Sequence, residues 1–373
     1  MPKQQTRLES LDVFRGLTIA GMVLVNNPGS WSHIYWPLEH AEWNGWTPTD
    51  LIFPFFLFIV GVAISLGLGR RVERGDKFRD LIFKIVYRTL VIFLLGEFIA
   101  GLPHFHLSTI RIPGVLQRIA VCYFLASIIF IKTRPRTLAI IAAALLVVYW
   151  LLMMYVPVPG YGAGDLSKEG NLAAYIDRHV FGPHIWKQGI VYDPEGFLST
   201  MGALATTLFG VLTGNRLRCE TRTPIQKVAD LFIAGFCCIV VGWAWDAWFP
   251  INKSLWTSSY VFFTGGLAMQ FLALCYWLID IKESKWWTKP FAVFGVNAIV
   301  LFVGTDIMAI LLGLIKVSRP DGGSQALQTY IYNHVYASWL SPLNASLAFA
   351  ISFILLWLFL MWLLDRKKII IKI

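Results

Sequence analysis

Charge is scarce in this chain: Asp, Glu, Lys and Arg make up 14% of its 373 residues, where a soluble domain carries about 25%. So little charge cannot cover a water-exposed surface of this size. With 57% hydrophobic residues and a mean hydropathy of +0.62, the chain requires lipid as solvent. Cysteine is sparse too. Cys122, Cys237, Cys238 and Cys275 fall in apolar runs and Cys219 in a basic loop, so no disulfide and no Cys-based metal site are expected. The polar stretch Met1–Glu9 leads to no small-residue cleavage site, so the first apolar run is expected to be retained. No internal repeat is evident, and with it the usual mark of inverted-repeat transporters is missing.

What is present is a series of long apolar runs, near 11–29, 48–69, 80–101, 113–131, 137–156, 195–214, 228–249, 257–280, 289–315 and 344–364. Each is close to the roughly 20 residues a helix needs to cross a bilayer. The runs are continuous rather than alternating, which favours helices over a barrel. The expected fold is all-α: a polytopic membrane protein of about ten transmembrane helices, with 1–373 forming a single transmembrane domain. With the N-terminus in the cytoplasm, 24 of the 32 Lys and Arg fall on the inner side; the exceptions are Arg111, Arg118, Lys168, Arg178, Lys187, Lys253, Lys316 and Arg319. This bias places both termini inside. The net charge of +10 is therefore a signal of topology and gives no reason to expect a nucleic-acid partner. All seven histidines fall on the outer side in this arrangement, but none forms a pair at firm ligand spacing, and no metal is expected.

Ionisable groups inside apolar runs are costly and mark candidate sites. Asp12 and Arg15 are three apart and share a helix face. They form either a structural ion pair or, through Arg15, a contact to a cytosolic phosphate. Arg118 could pair with Glu97, Asp246 or Asp306, or could face an anionic ligand. Arg70 and Arg71 close the second run on the inner side. His40 lies shortly before Thr47-Pro48, a pattern for an N-cap followed by Pro at the first helical position. An interfacial histidine in an aromatic belt is the plain reading of it. Trp43 and Trp46 can likewise belong to that belt or stack on a sugar ring.

The stretches RLESLDVFRGLTIAGMVLVNN and HAEWNGWTPTDLIFPFFLFIVG resemble the catalytic core of the heparan-α-glucosaminide N-acetyltransferase family. Further blocks follow in order: RIPGVLQRIA from Arg111, YDPEGFLST from Tyr192, NKSLWTSSYV from Asn252 and GVNA from Gly295. The resemblance runs from about Arg7 to about Arg366. It implies transfer of acetyl from cytosolic acetyl-CoA to the amine of a terminal glucosamine across the membrane. It also implies that His40 is the active-site histidine and that Asn26 is its neighbouring asparagine. The animal enzyme carries a lumenal domain and an additional helix before this core, neither of which is seen here. At Asn27-Pro28 the chain also departs from the family pattern. Free glucosamine or a de-acetylated cell-wall sugar is the expected acceptor, in the cytoplasmic (inner) membrane of a bacterium, with lipid around the protein and a homodimer as the candidate assembly.

The chemistry suits these residues. An amine must lose a proton to attack a thioester, and an imidazole with a pKa near 6.5 can accept it. His40 can act as that base or be acetylated first and pass the group on. Asn26 can donate to the developing oxyanion. Asp50 can orient His40, or equally can serve as a helix N-terminal charge. Arg15 and Arg118, with Arg70 and Arg71 behind them, are the candidates for the CoA phosphates. Trp43, Asn44 and Trp46 are the candidates for the sugar. The competing reading is an amino-sugar transporter, which needs no CoA ligands.

Overall fold

The computed structural model describes residues 8–186, 191–319 and 323–371. Lys3, Arg7, Lys187 and Lys372, counted above among the basic residues, lie outside them. The helices are α1 (Glu9–Asn26), α2 (Ile52–Glu73), α3 (Phe78–Gly101), α4 (Val115–Lys132), α5 (Pro135–Tyr155), α6 (Leu172–Phe181) and α7 (Thr200–Arg218). They continue as α8 (Pro224–Trp245), α9 (Ser258–Cys275), α10 (Thr288–Val296), α11 (Ala298–Leu314), α12 (Leu327–Ile331) and α13 (Pro342–Arg366). A small antiparallel ribbon joins β1 (Lys316–Ser318) to β2 (Ser324–Ala326), with Lys316 opposite Ala326.

Helix occupies each of the ten apolar runs. Among the described residues, six stretches are long and apolar enough to cross a bilayer: Pro48–Glu73, Val115–Lys132, Pro135–Tyr155, Pro224–Trp245, Ser258–Ile281 and Pro342–Arg366. The chain is thus a helical, polytopic membrane protein. The expected ninth run is not one straight helix. It bends by 82° between α10 and α11, so it is either a broken span or a re-entrant loop. The break falls at Asn297, whose φ of −113° and ψ of 39° leave the helical region. Its side chain then holds the end of the chain: Nδ2 donates to the Ile369 carbonyl at 3.1 Å and Oδ1 accepts from the Ile371 N–H at 3.0 Å.

The described residues fall into two compact units. The first contains the chain up to His40, Thr47–Phe53 and the part from Leu274 onward. Here α1 crosses α10 at backbone contact. A Cβ on Gly16 would lie 1.8 Å from the Phe291 carbonyl oxygen, and one on Gly295 would lie 2.0 Å from that of Asp12. Glycine at both positions is what permits the approach. Ile19, Val23, Val293, Phe294, Leu301, Phe353 and Trp357 fill the core around this crossing. The segment after α1 is tied to α13. Gly29 N–H donates to the Ser346 carbonyl at 3.2 Å, and the Tyr35 hydroxyl donates to Asn344 Oδ1 at 2.6 Å.

The second unit holds Ala41–Trp46 and Pro54–Ala273, with α7 at its centre. α7 is rich in Gly and Thr and is the least apolar of the long helices, yet most of its residues are buried. Two devices reconcile these facts. Thr206, Thr207 and Thr213 each donate their hydroxyl to a carbonyl one turn back. Gly210 meets Gly61 of α2, where an added Cβ would lie 2.0 Å from the Phe58 carbonyl oxygen. Small residues bring the backbones together and satisfied hydroxyls remove the cost of burial.

Candidate active site

In the first unit, His40 and Asp50 meet. The His40 Nδ1–H donates to Asp50 Oδ1 at 2.6 Å. The carboxylate side chain is 1% exposed and the imidazole 52%. The local sequence explains the placement. Thr47-Pro48 starts the single tight turn Pro48–Leu51 that leads into α2, and Asp50 is its third residue. Its Oδ2 accepts from the Thr47 N–H at 3.0 Å, which leaves Oδ1 for the histidine. A neutral imidazole that donates from Nδ1 carries its lone pair on Nε2. The geometry therefore selects the tautomer in which Nε2 is the basic nitrogen, and it sets a buried carboxylate behind the ring to stabilise an imidazolium.

Asn26 is the last residue of α1 and its side chain is exposed, whereas Asn27 is buried and donates to the Val23 carbonyl at 2.9 Å. Arg15 is half-buried. Its Nη1 donates to Asp12 Oδ1 at 3.3 Å and to the Gly295 carbonyl at 3.2 Å, bracing the α1–α10 crossing.

In the second unit, the turn Trp43–Trp46 is pinned by backbone and amide contacts. Gly45, at a φ of +96° that favours glycine, donates its N–H to the Ile251 carbonyl at 2.7 Å. Asn252, fully buried, donates from Nδ2 to Asn44 Oδ1 at 3.1 Å. Trp43 is committed to structure: its indole N–H donates to the Leu166 carbonyl at 2.9 Å, its ring meets Tyr192 edge to face, and Lys168 lies over it. Trp46 packs on Phe263 but stays 41% exposed, and Asn44 is exposed as well.

Arg118 is 2% exposed in α4 and bonds to neither Glu97 nor Asp246. Its Nη2 donates to the Gly196 carbonyl at 3.0 Å and to the Ser199 hydroxyl, and its guanidinium lies 5.1 Å from the centre of the Trp256 ring. Among the described residues its Nε and Nη1 have no hydrogen-bond partner. Trp256 holds that stacking position with a φ of 52°, a left-handed backbone that costs a bulky residue about 1–3 kcal/mol. Glu97 instead accepts from Gln117 at 3.1 Å, and Asp246 accepts from the Ile251 N–H at 2.6 Å. Arg70 and Arg71 lie in the last turn of α2, both half-buried.

A buried ionic cluster in the second unit is not evident from single-residue reading. Arg111 grips Asp193 with two bonds, at 3.0 and 2.5 Å, and reaches Glu195 at 2.5 Å. Burial alone would lower the Arg111 pKa, but its bond to Asp193 and the two carboxylate charges hold it above the ordinary value. Burial likewise pushes the Glu195 carboxyl up, and Arg111, Arg118 and Lys253 outweigh it and hold it below the usual range. Asp177 of α6 accepts from the Phe197 N–H at 2.8 Å, and burial pushes its carboxyl up to about 7. Asp193 and Glu195 fall in the block starting at Tyr192, and that ordered similarity was their only signal in the sequence; Asp177 lies outside the blocks and had none. No group of three or more His, Cys, Asp or Glu among the described residues has the geometry to hold a metal ion.

Comparison with known proteins matches residues 7–165 to the family described as heparan-alpha-glucosaminide N-acetyltransferase, catalytic. The chain is 32% identical over 362 residues to the mouse protein named heparan-alpha-glucosaminide N-acetyltransferase, covering 81% of this chain and 54% of that one. It is 32% identical over 358 residues to the human protein of the same name, covering 81% and 53%. The chain thus spans about half the length of these curated relatives. With both the matched catalytic region and the similarity beyond it, this chain belongs to the heparan-alpha-glucosaminide N-acetyltransferase family.

Proposed function

We propose that the protein is a membrane-bound N-acetyltransferase that moves acetyl from cytosolic acetyl-CoA to the free amine of a glucosamine-type sugar on the outer side. The observation that carries this reading is the 2.6 Å bond from His40 to the buried Asp50, which gives an exposed imidazole a basic Nε2 and a fixed orientation. In the direct route the amine nitrogen attacks the thioester carbonyl and passes its proton to His40. The C–S bond breaks, the C–N bond forms, and the leaving sulfur takes a proton to give CoA thiol. In the two-step route the imidazole attacks first, CoA leaves, and the sugar amine then takes the acetyl group from the ring nitrogen. Asn26, exposed at the end of α1, is the proposed oxyanion donor. Asn44 and Trp46 are the proposed sugar contacts, and Trp43 shapes the turn that carries them.

Arg15 is braced by a carboxylate and a carbonyl and Arg118 by a carbonyl and a hydroxyl, which supports a structural share in their role. Arg70 and Arg71, at the end of α2, are the better-placed candidates for the CoA phosphates. The inner-side excess of Lys and Arg supports ten spans with both termini cytoplasmic, in an inner membrane. The similarity to the mouse relative covers 81% of this chain, which supports one working domain.

The test is transfer of radiolabelled acetyl from acetyl-CoA to glucosamine by purified protein, with His40→Ala beside the wild type. Label on the sugar that the variant abolishes is the expected result. No label on any amino sugar from folded protein would sink the proposal and favour transport. Label on the protein itself with acetyl-CoA alone, lost in His40→Ala, would select the two-step route.

A further inference from the structure

Thr47 does more than open a helix. Its hydroxyl lies 2.5 Å from the carbonyl oxygen of Glu39, the residue before His40, and 3.2 Å from Asp50 Oδ2. One hydroxyl hydrogen serves two acceptors, and the shorter contact takes most of it. Oδ2 is meanwhile served by the backbone N–H of the same residue, at 3.0 Å. Two positions on, the Thr49 hydroxyl donates to the Pro37 carbonyl at 3.0 Å. The segment Pro37–Glu39 is therefore fastened along the turn that opens α2 by two hydroxyls. The histidine that follows it is fastened to the same turn by its ring.

We propose that Thr47 is a positioning residue for His40, and this rests on the acetyl-transfer reading above. Its hydroxyl ties the backbone on one side of the histidine to the turn that presents Asp50. The Nδ1–carboxylate bond thereby keeps one geometry while the ring gains and loses a proton. Clamping the preceding carbonyl narrows the range over which the imidazole can swing. Thr49 steadies the same segment one residue further out.

The experiment compares wild type, Thr47→Val, which keeps the shape and removes the hydroxyl, and Thr47→Ser, which restores it. In the transfer assay Thr47→Val is expected to lower kcat about tenfold, the scale of one lost hydrogen bond, while KM for acetyl-CoA and for glucosamine stays within about twofold. Thr47→Ser should return kcat to near wild type. In parallel, diethyl pyrocarbonate modification of His40, followed by peptide mass spectrometry, should change rate at least about threefold in Thr47→Val with the other histidines unaltered. Wild-type kcat and modification rate in Thr47→Val would overturn the assignment. If that variant does not accumulate folded, Thr47→Ala takes its place under the same criteria. If the wild type itself transfers no acetyl, the functional reading fails, and the modification rates still decide the role of Thr47.

Discussion

Asp177 gives the clearest handle on the energetics of the second unit. Its carboxyl is buried against Gly196, whose added Cβ would lie 1.9 Å from Oδ2, and Oδ1 accepts the Phe197 N–H. Its pKa is raised from 3.8 to about 7: burial is the largest cause and the charge of Asp193 adds to it, while the Phe197 bond and the charge of Arg118 pull the other way. A folded-state value above the unfolded one means that the folded protein binds the extra proton. The contribution to stability is then complete below about pH 4 and is lost as pH rises through about 7. A shift of about three pK units corresponds to a loss on the order of 4 kcal/mol, a large share of the 5–15 kcal/mol that holds a typical domain together. Asp177→Asn removes this titration and keeps a carbonyl for the Phe197 N–H. Thermal unfolding in detergent between pH 5 and 8 should show the wild-type midpoint falling relative to the variant up to about pH 7 and levelling off above it, the histidines being common to both. Parallel curves for the two proteins would refute the reasoning.

Other substitutions separate the roles assigned above. Asp50→Asn keeps a partner for the His40 ring but removes the charge behind it; transfer should fall about 100-fold or more, with folding intact by circular dichroism. Arg111→Met leaves Asp193 and Glu195 buried without their guanidinium and should cost about 3–5 kcal/mol, read as a large drop in melting temperature. Trp46→Ala should raise KM for the amino sugar with little change in stability. Trp43→Ala should instead destabilise, because it removes the bond to Leu166 and the contact with Tyr192. Gly210→Val drives methyl groups into the Phe58 carbonyl of α2 and should prevent accumulation of folded protein, measured by detergent-resistant monomer yield.

How much of this was legible in the residues differs by feature. Run length and continuity are enough to place helices, because a bilayer sets a length and forbids unpaired backbone. The helix start at Thr47-Pro48 is legible because Pro at the first turn lacks only a hydrogen bond that would go unmade anyway. The bend at Asn297 is not: GVNA contains no proline, and the side chain that marks the break finds its partners more than 70 residues later, at Ile369 and Ile371. Arg118 shows the limit most plainly. Its depth in an apolar run is visible, but its partners, a carbonyl and a hydroxyl, lie in a segment about 80 residues away. The Arg111 cluster is hidden for the same reason, since nothing local ties residue 111 to residues 193 and 195.

The composition of α7 has a consequence for how the protein is made. A Gly- and Thr-rich helix partitions poorly into lipid when it leaves the translocon alone. Three of the helices it packs against, α2, α4 and α5, precede it in the chain and are synthesised first. On the ten-span reading proposed above, α7 emerges after the α2 glycine it packs against, and its insertion is expected to be templated rather than independent. Nascent chains lacking α2 should leave α7 outside the bilayer in glycosylation-mapping assays, while the far more apolar α5 should insert regardless of its neighbours.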